Sequence, residues 1–303
     1  MIGILALNFA GCSNESIYKD EHYKTLVYLL SGSENVYGTS YTLNEVESER
    51  YVTIGCGGSN ANEKEITVTL EPNPDMLERY NNLHYDYESR YARLLPANRY
   101  DIASYSVTLP ANSGYHYVRM PVKVRPLGLS PDSIYFIPLK IKSVSEYEVN
   151  EDKQDVLFRV AIENDYARQL VPTYYSKSGL MDNPIGVLSG NLLMQPLTKD
   201  KVRMLIGNNA YNSETTTPAD LERLSIVVQI LPNNTLDITP YGSMQIDFLD
   251  DREDYGYYDP ELMQGTTKQR VFFLYFKCNY MNANGVWSGW RNVEERLIRV
   301  EDN

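Results

Sequence analysis

Apolar and polar residues alternate with a period of two along most of the first half of the chain. In one such run, Ile66, Val68 and Leu70 alternate with Glu and Thr residues. This pattern predicts strands with one buried face and one solvated face. It predicts strands at residues 25–30, 50–56, 65–70, 104–109, 115–124, 133–141 and 155–163. Because turns rich in Pro, Gly and Asn separate these strands, we expect an antiparallel β-sandwich.

One segment of the first half has a helical period instead. Leu77, Tyr80, Tyr87 and Tyr91 recur as they would on one helix face, and Pro96 ends the pattern. A proline cannot continue a helix, because it lacks the backbone N–H and clashes with the preceding turn. We therefore expect one or two short helical turns that cross an end of the sandwich and fill it with tyrosine rings.

The second half of the chain also has the pattern of strands. Runs at residues 202–206, 225–231, 235–239, 243–248, 270–280 and 286–300 predict strands. Asn233-Asn234 and Asn284-Gly285 predict hairpin turns, because Asn and Gly accept positive φ. The polar segment around residues 164–179 places a domain boundary there. The predicted fold class is all-β, with a sandwich at residues 24–165 and an antiparallel barrel or second sandwich at residues 170–303.

The first twelve residues have the order of a bacterial lipoprotein signal. An apolar run at residues 2–7 precedes the small residues Ala10 and Gly11 and then Cys12. This order predicts a signal at residues 1–12, lipidation of Cys12 and a polar tether at residues 13–23. Because no Lys or Arg precedes Lys19, the alternative is a buried N-terminal strand with an ordinary core cysteine. Lipidation would place the protein outside the cytoplasm, on a membrane.

Charge and motifs exclude several functional classes. A formal net charge of −12 argues against a nucleic-acid partner, which needs clustered Lys and Arg. The three histidines are scattered, so we expect no metal site. Cys56 and Cys278 are far apart and are expected to be buried thiols. No nucleophile elbow, P-loop or dinucleotide motif is present, so we expect a protein that is not an enzyme and holds no cofactor.

Tyrosine is the compositional outlier, with 26 residues against 7 Phe and 2 Trp. An acidic and aromatic run at residues 247–259 combines carboxylates with tyrosine rings, as sugar-binding surfaces do. Its candidate ligand-binding residues are Asp250, Asp251, Tyr255, Tyr257 and Tyr258. Two alternatives remain for this run, a solvated acidic loop and a calcium site.

Trp287 and Trp290 follow the predicted turn at Asn284-Gly285. An indole at a hairpin tip can form a stacking platform for a ligand. Residues three apart in a strand point to opposite faces unless Gly289 introduces a bulge. We therefore expect one indole in the core and the other available to a ligand.

An ordered set of segments resembles a known family. Residues 66–70, 73–81, 91–96, 106–112, 122–128 and 135–141 resemble the immunoglobulin-like N-terminal domain of Bacteroidetes cell-surface lipoproteins. Residues 270–277, 285–287 and 295–299 resemble the lipocalin-like β-barrel that accompanies it. The Lys-Asp-Glu run at residues 19–21 is similar to that family's acidic signal for export to the outer face. Such proteins are encoded beside starch-utilisation-type glycan importers.

The resemblance and the candidate residues together lead to one functional expectation. We expect an outer-membrane lipoprotein, exposed at the cell surface, that binds glycan or supports glycan capture by an importer. The alternatives are a lipocalin-like carrier of a lipid or other apolar ligand and a protein-binding adhesion module. Phe272, Phe273, Tyr275 and Phe276 favour a filled barrel over a hollow one.

Overall fold

The computed structural model describes residues 24–58, 62–112, 114–249 and 251–300. The chain is all-β with two domains, as the sequence predicts. One core cluster runs from Val27 to Ile162 and a second from Ala167 to Leu297. The predicted signal, the tether, Cys12 and Asp250 lie outside the described residues.

Within the described residues, eleven strands and one α-helix build the first domain. In chain order they are β1 Leu26–Leu29, β2 Val36–Thr42, β3 Ser48–Gly57, β4 Ile66–Pro72, α1 Pro74–His84, β5 Arg93–Leu94, β6 Tyr100–Asp101, β7 Ser106–Leu109, β8 Tyr117–Val124, β9 Tyr135–Val144, β10 Glu148–Val149 and β11 Asp155–Glu163.

Two sheets face each other in this domain. One has the order β10-β1-β3-β8-β6, and the other has the order β2-β11-β9-β4-β7 with β5 beside β9. Their facing sides follow the predicted alternation: in β8, Met120, Val122 and Val124 are fully buried while the intervening residues are exposed. The longest parallel pairing joins β2 to β11, where Val36 is opposite Leu157 and Thr42 is opposite Glu163. The sequence pattern did not predict β2 or its parallel pairing.

The predicted helical segment contains a helix of 11 residues, longer than the one or two turns expected, and this helix ends before Tyr87. Helix α1 begins with Pro74 and buries Met76 and Leu77. It ends at His84, because the chain folds back and the Asn81 side chain makes two hydrogen bonds of 2.9 Å to the backbone of Ala92. The prediction that Tyr87 and Tyr91 continue the helix face is therefore wrong.

In the second domain, the part of the chain that the structure describes contains ten strands and one α-helix. They are β12 Tyr174–Met181, β13 Gly186–Leu193, β14 Gln195–Pro196, β15 Lys201–Leu205, α2 Pro218–Leu224, β16 Ser225–Ile230, β17 Leu236–Pro240, β18 Gln245–Phe248, β19 Tyr257–Gln264, β20 Thr267–Asn279 and β21 Arg291–Arg299.

These strands form a flattened, filled barrel. A sheet of order β13-β12-β21-β20-β18, with β19 also paired to β20, faces a sheet of order β14-β15-β16-β17. The sheets are joined at one edge by the bridge between Thr235 and Tyr257, and at the other by the Asn208 side chain, which bonds the backbone of β13. Tyr175, Phe272 and Phe276 fill the space between the sheets and are 0% exposed. A filled interior argues against a carrier that holds an apolar ligand in its lumen.

A buried ion pair joins the two domains. The Arg203 side chain, only 1% exposed, lies on β15 and pairs with Asp132 of the first domain. Its Nη1 donates to Asp132 Oδ2 at 2.9 Å, and its Nε donates to Gln195 Oε1 at 3.0 Å. The Tyr241 ring covers the guanidinium at 4.6 Å, so the charge is enclosed by protein. If the two domains separate, the Arg203 guanidinium therefore loses its carboxylate partner, Asp132.

Replacement of Asp132 by Ala leaves the buried guanidinium without its carboxylate. We expect a loss of about 3 kcal/mol in the free energy of unfolding, because an unpaired buried charge is costly. Chemical denaturation measures this loss. Glu47→Ala, which breaks the exposed Arg125–Glu47 pair of 2.9 Å, is the control and should cost less than about 1 kcal/mol. Equal losses in the two variants would contradict the role of the junction.

Glu295 is a carboxyl group in the core of the second domain. It is 0% exposed, and neither of its oxygens accepts a hydrogen bond from any residue that the structure describes. Burial raises the pKa of Glu295 to about 7, against an opposing effect of Lys177. Burial likewise lowers the pKa of Lys177, whose Nζ donates to the carbonyl of Gly207.

The raised pKa of Glu295 predicts a pH-dependent stability. Since the folded-state pKa lies above the unfolded-state value of 4.5, the native state holds the proton more tightly. Stability should therefore fall as pH rises from about 4.5 to about 7, by about 2–3 kcal/mol. Glu295→Gln removes this titration, so its denaturation free energy should change less over the same window. A variant with the wild-type pH slope would show that the carboxyl group does not titrate there.

Candidate functional site

The predicted acidic and aromatic run divides into a loop and a strand. Strands β18 and β19 both pair with the same edge of β20, where Phe248 is opposite Phe276 and Tyr257 is opposite Phe273. The described residues between them, 249 and 251–256, lie outside both strands. Residues 251–256 therefore form a loop, while Tyr257 and Tyr258 belong to β19.

Arg252 holds this loop against the outer face of the sheet. Its guanidinium lies 4.4 Å from the centroid of the Tyr255 ring and 5.2 Å from that of Tyr275. It forms ion pairs of 2.7 Å with both Asp254 and Glu294. The Tyr255 hydroxyl donates to Glu294 Oε1 at 2.7 Å. Tyr255 is thus held within a hydrogen-bonded cluster and is only half-buried.

The one positive charge of this cluster is shared between two carboxylates, those of Asp254 and Glu294. The hydrogen bond to Asp254 raises the pKa of Arg252, and the same bond lowers the pKa of Asp254. Burial and the hydrogen bond to Glu294 raise the pKa of Tyr255. Both carboxylates are therefore paired with Arg252, although the Asp254 side chain remains exposed. Asp251, which precedes this cluster, is exposed at the surface.

Tyr257 and Tyr258 lie on opposite faces of the sheet, as adjacent strand residues do. The Tyr257 ring stacks on Phe273 with centroids 4.7 Å apart and stays half-buried on the outer face. Tyr258 is 7% exposed, and its ring packs 4.6 Å from Phe272 in the core. The prediction that Tyr258 contacts a ligand is corrected accordingly, because its side chain packs the interior.

Both tryptophans lie on the hairpin between Tyr280 and Arg291 and face solvent. Trp287 is 42% exposed and Trp290 is 47% exposed. Gly289 has φ +77°, which breaks the strand alternation between the two indoles. The expectation that one of them packs in the core is therefore wrong, and two indoles are available at the surface.

A pocket of about 230 Å³ opens at the base of this hairpin. Tyr280 and Arg291, the two ends of the hairpin, both line it, and the Arg291 guanidinium lies 5.7 Å from the Tyr280 ring centroid. Asn183, beside the pocket, donates a 3.5 Å hydrogen bond to the Trp290 carbonyl. Exposed Ile185 forms part of the opposite wall. The site combines flat rings, an apolar wall and a guanidinium at one end of the second domain.

A larger cleft of about 410 Å³ lies in the first domain. We call it the β2–β3–β8 cleft. It is lined by Leu30, Tyr37, Thr39, Arg50, Tyr51, Thr53, Tyr117 and Arg119, which come from both sheets. Sequence reasoning missed this cleft. The available signal was the solvent face of β8, where Tyr117 and Arg119 alternate with inward-facing residues.

The chain also contains residue types that can bind a metal ion or react as thiols. Among the residues that the structure describes, no group of His, Cys, Asp and Glu side chains is arranged to hold a metal ion. Cys56 and Cys278 are buried free thiols, one in each domain, as predicted. Burial raises the pKa of Cys278 to about 12, so its reactive thiolate is strongly disfavoured.

Two family models match the chain. One describes an N-terminal domain and matches residues 18–148, and the other describes a C-terminal domain and matches residues 154–298. The two matches together take up most of the chain. The chain therefore combines the N-terminal domain and the C-terminal domain that these two models describe.

Solved structures from Bacteroides share the fold. A Bacteroides ovatus protein of unknown function is similar with a TM-score of 0.68 at 15% identity, covering 92% of this chain and 98% of its own. An auxiliary nutrient binding protein from Bacteroides thetaiotaomicron has a TM-score of 0.62 at 13% identity, covering 88% of this chain and 92% of its own. The search of curated proteins gives no match to the chain.

Proposed function

We propose that this chain is an outer-membrane lipoprotein, exposed at the cell surface, that binds glycan and supports its capture by an importer. The observation that carries the proposal is the pair of exposed indoles, Trp287 and Trp290, on a hairpin whose ends line a pocket. Large exposed aromatic side chains are costly to leave in water, and at this density they mark interaction sites. The auxiliary nutrient binding protein with the same fold supports a binding role.

The chemistry of the hairpin suits a sugar. The apolar face of a pyranose ring can stack on an indole, while the Arg291 guanidinium can donate hydrogen bonds to hydroxyl groups. Individual contacts of this kind are weak in water, so such a site binds with millimolar to micromolar affinity. Several sites on one polysaccharide would raise the avidity. We propose binding without catalysis, since the site has no nucleophile and base in contact.

The membrane attachment rests on the sequence around Cys12. Acyl chains on this thiol, each contributing about 0.8 kcal/mol per buried methylene, would hold the protein at a bilayer. No helix within the described ranges has the length and apolar character needed to span a membrane. The polar residues 13–23 would then act as the tether between the membrane and the first domain.

Removal of the indoles tests the binding proposal. We expect Trp287→Ala and Trp290→Ala to weaken binding to the polysaccharide that retards the wild-type chain in affinity gel electrophoresis. A lost stacking contact should raise the dissociation constant about tenfold. The chain should carry Cys12→Ser, so that the protein is free of acyl groups. A panel of neutral and acidic polysaccharides identifies the ligand.

Tyr87→Ala is the matched control, since Tyr87 is a 71% exposed aromatic residue in the first domain. This variant should bind as the wild-type chain does. A chain that no polysaccharide retards would overturn the proposal, and so would a panel in which every bound polysaccharide binds both tryptophan variants as tightly as the wild-type chain.

Mass spectrometry of protein from native membranes tests the anchor. We expect the mature chain to begin at Cys12 with diacylglyceryl and N-acyl groups attached, and Cys12→Ser to move the protein into the soluble fraction. Recovery of Cys12 as an unmodified thiol would rule out the lipoprotein assignment while leaving the glycan site untested by that experiment.

A further inference from the structure

The β2–β3–β8 cleft has a local charge opposite to that of the whole chain. Arg50 and Arg119 line it, although the chain carries a net charge of −12. No carboxylate within the described part of the chain forms an ion pair with either guanidinium. The nearby Glu49 instead accepts a 2.7 Å hydrogen bond from the Tyr51 hydroxyl. Arg50 Nη1 donates to the carbonyl of Glu49 at 2.8 Å, and no other donor of the two guanidinium groups has a partner among the described residues. These remaining donors can serve a bound anion.

Aromatic rings surround these charges. The Arg119 guanidinium lies 5.7 Å from the Tyr51 ring centroid and 5.3 Å from that of Tyr117. The two rings are 38% and 40% exposed. The pairing of β3 with β8 fixes this geometry, because Thr53 lies opposite Arg119 and Gly55 lies opposite Tyr117. The guanidinium is thus held between two rings before any ligand arrives, which lowers the entropic cost of binding.

We propose that this cleft is a second binding site, selective for an acidic saccharide. The carboxylate or sulfate group of the sugar accepts hydrogen bonds from the planar guanidinium of Arg119, with Arg50 as the second cationic group. The sugar ring lies against the exposed faces of Tyr51 and Tyr117. The volume of about 410 Å³ falls within the range of small-ligand sites.

The lining favours a saccharide over an acidic peptide. Peptides that dock on strands require pockets for alternate side chains, and these pockets are mostly apolar. Leu30 is the single aliphatic residue among the eight that line the cleft, whereas Thr39, Thr53 and three tyrosines offer hydroxyl groups. Hydroxyl groups and flat rings are the partners that a pyranose uses. The site is separate from the tryptophan hairpin, so the inference does not depend on the hairpin binding glycan.

Affinity gel electrophoresis with four polymers tests the inference. The probes are polygalacturonate, dextran sulfate, neutral dextran and poly-glutamate, each with the full chain carrying Cys12→Ser in about 150 mM salt, where long-range attraction is screened. We expect retardation by polygalacturonate or by dextran sulfate, and the polymer that retards the chain identifies the anionic group. Arg50→Ala, Arg119→Ala and Tyr117→Ala should each raise the dissociation constant about tenfold.

Arg79→Ala is the control, because it removes the same charge from the exposed surface of helix α1. Arg119→Lys keeps the positive charge but loses the planar guanidinium. Its affinity for the acidic polysaccharide should lie between those of the wild type and Arg119→Ala. Trp287→Ala should leave this binding unchanged, which separates the cleft from the hairpin. Failure of both acidic polysaccharides to retard the chain would overturn the inference. Equal weakening by Arg79→Ala, or poly-glutamate binding as tight as polysaccharide binding, would also overturn it.

Discussion

The junction between the two domains depends on one ion pair, in which the protein encloses the charged guanidinium of Arg203. Arg203 belongs to the second domain, yet its partner Asp132 belongs to the first, and Tyr241 covers the pair. A guanidinium that is 1% exposed cannot return to water without a large rearrangement. The Tyr211 hydroxyl and the Gln195 amide also bond to Asp132. This network gives the chain a junction with defined geometry, although each domain has its own core.

The segment that links the domains is ordered by similar means. The Asn164 side chain donates to the carbonyls of Thr198 and Lys201 and accepts from the backbone N–H groups of Tyr166 and Ala167. Backbone groups that would otherwise be unpaired at the boundary are thereby satisfied. The cleft of the first domain and the tryptophan hairpin of the second therefore have a fixed position relative to each other. A polysaccharide long enough to reach both sites could bind them together and gain avidity.

Strands with a clear alternation of apolar and polar residues could be predicted from the sequence, and strands without that alternation could not. The prediction at residues 155–163 coincides with β11, because its inward residues are all apolar. The run predicted at residues 286–300 yields only Arg291–Arg299, because Gly285 and Gly289 take positive φ and the hairpin precedes the strand. Strand β12 lies partly in the polar segment 164–179 and contains the buried Lys177. Its residues therefore lack the alternation that would have predicted a strand.

In the candidate site, too, some features could be predicted from the local sequence, and others depend on contacts between residues that are distant in the chain. The residue types and the hairpin turn predicted that an indole would be exposed, whereas the exposure of both required the backbone conformation at Gly289. Tyr258 and Tyr257 look equivalent in the sequence, and only the register of β19 against β20 separates core from surface. The β2–β3–β8 cleft joins Tyr37, Tyr51 and Tyr117, which meet only after two sheets have assembled.

The chain offers a direct optical test of glycan binding at the hairpin. Trp287 and Trp290 are its only tryptophans, so the intrinsic tryptophan fluorescence reports on this hairpin alone. A polysaccharide whose binding is weakened by Trp287→Ala should shift the emission to shorter wavelength and protect it from quenching by acrylamide, because stacking removes the indoles from water. Saturable binding of that polysaccharide in the gel, with emission and quenching unchanged, would contradict the account.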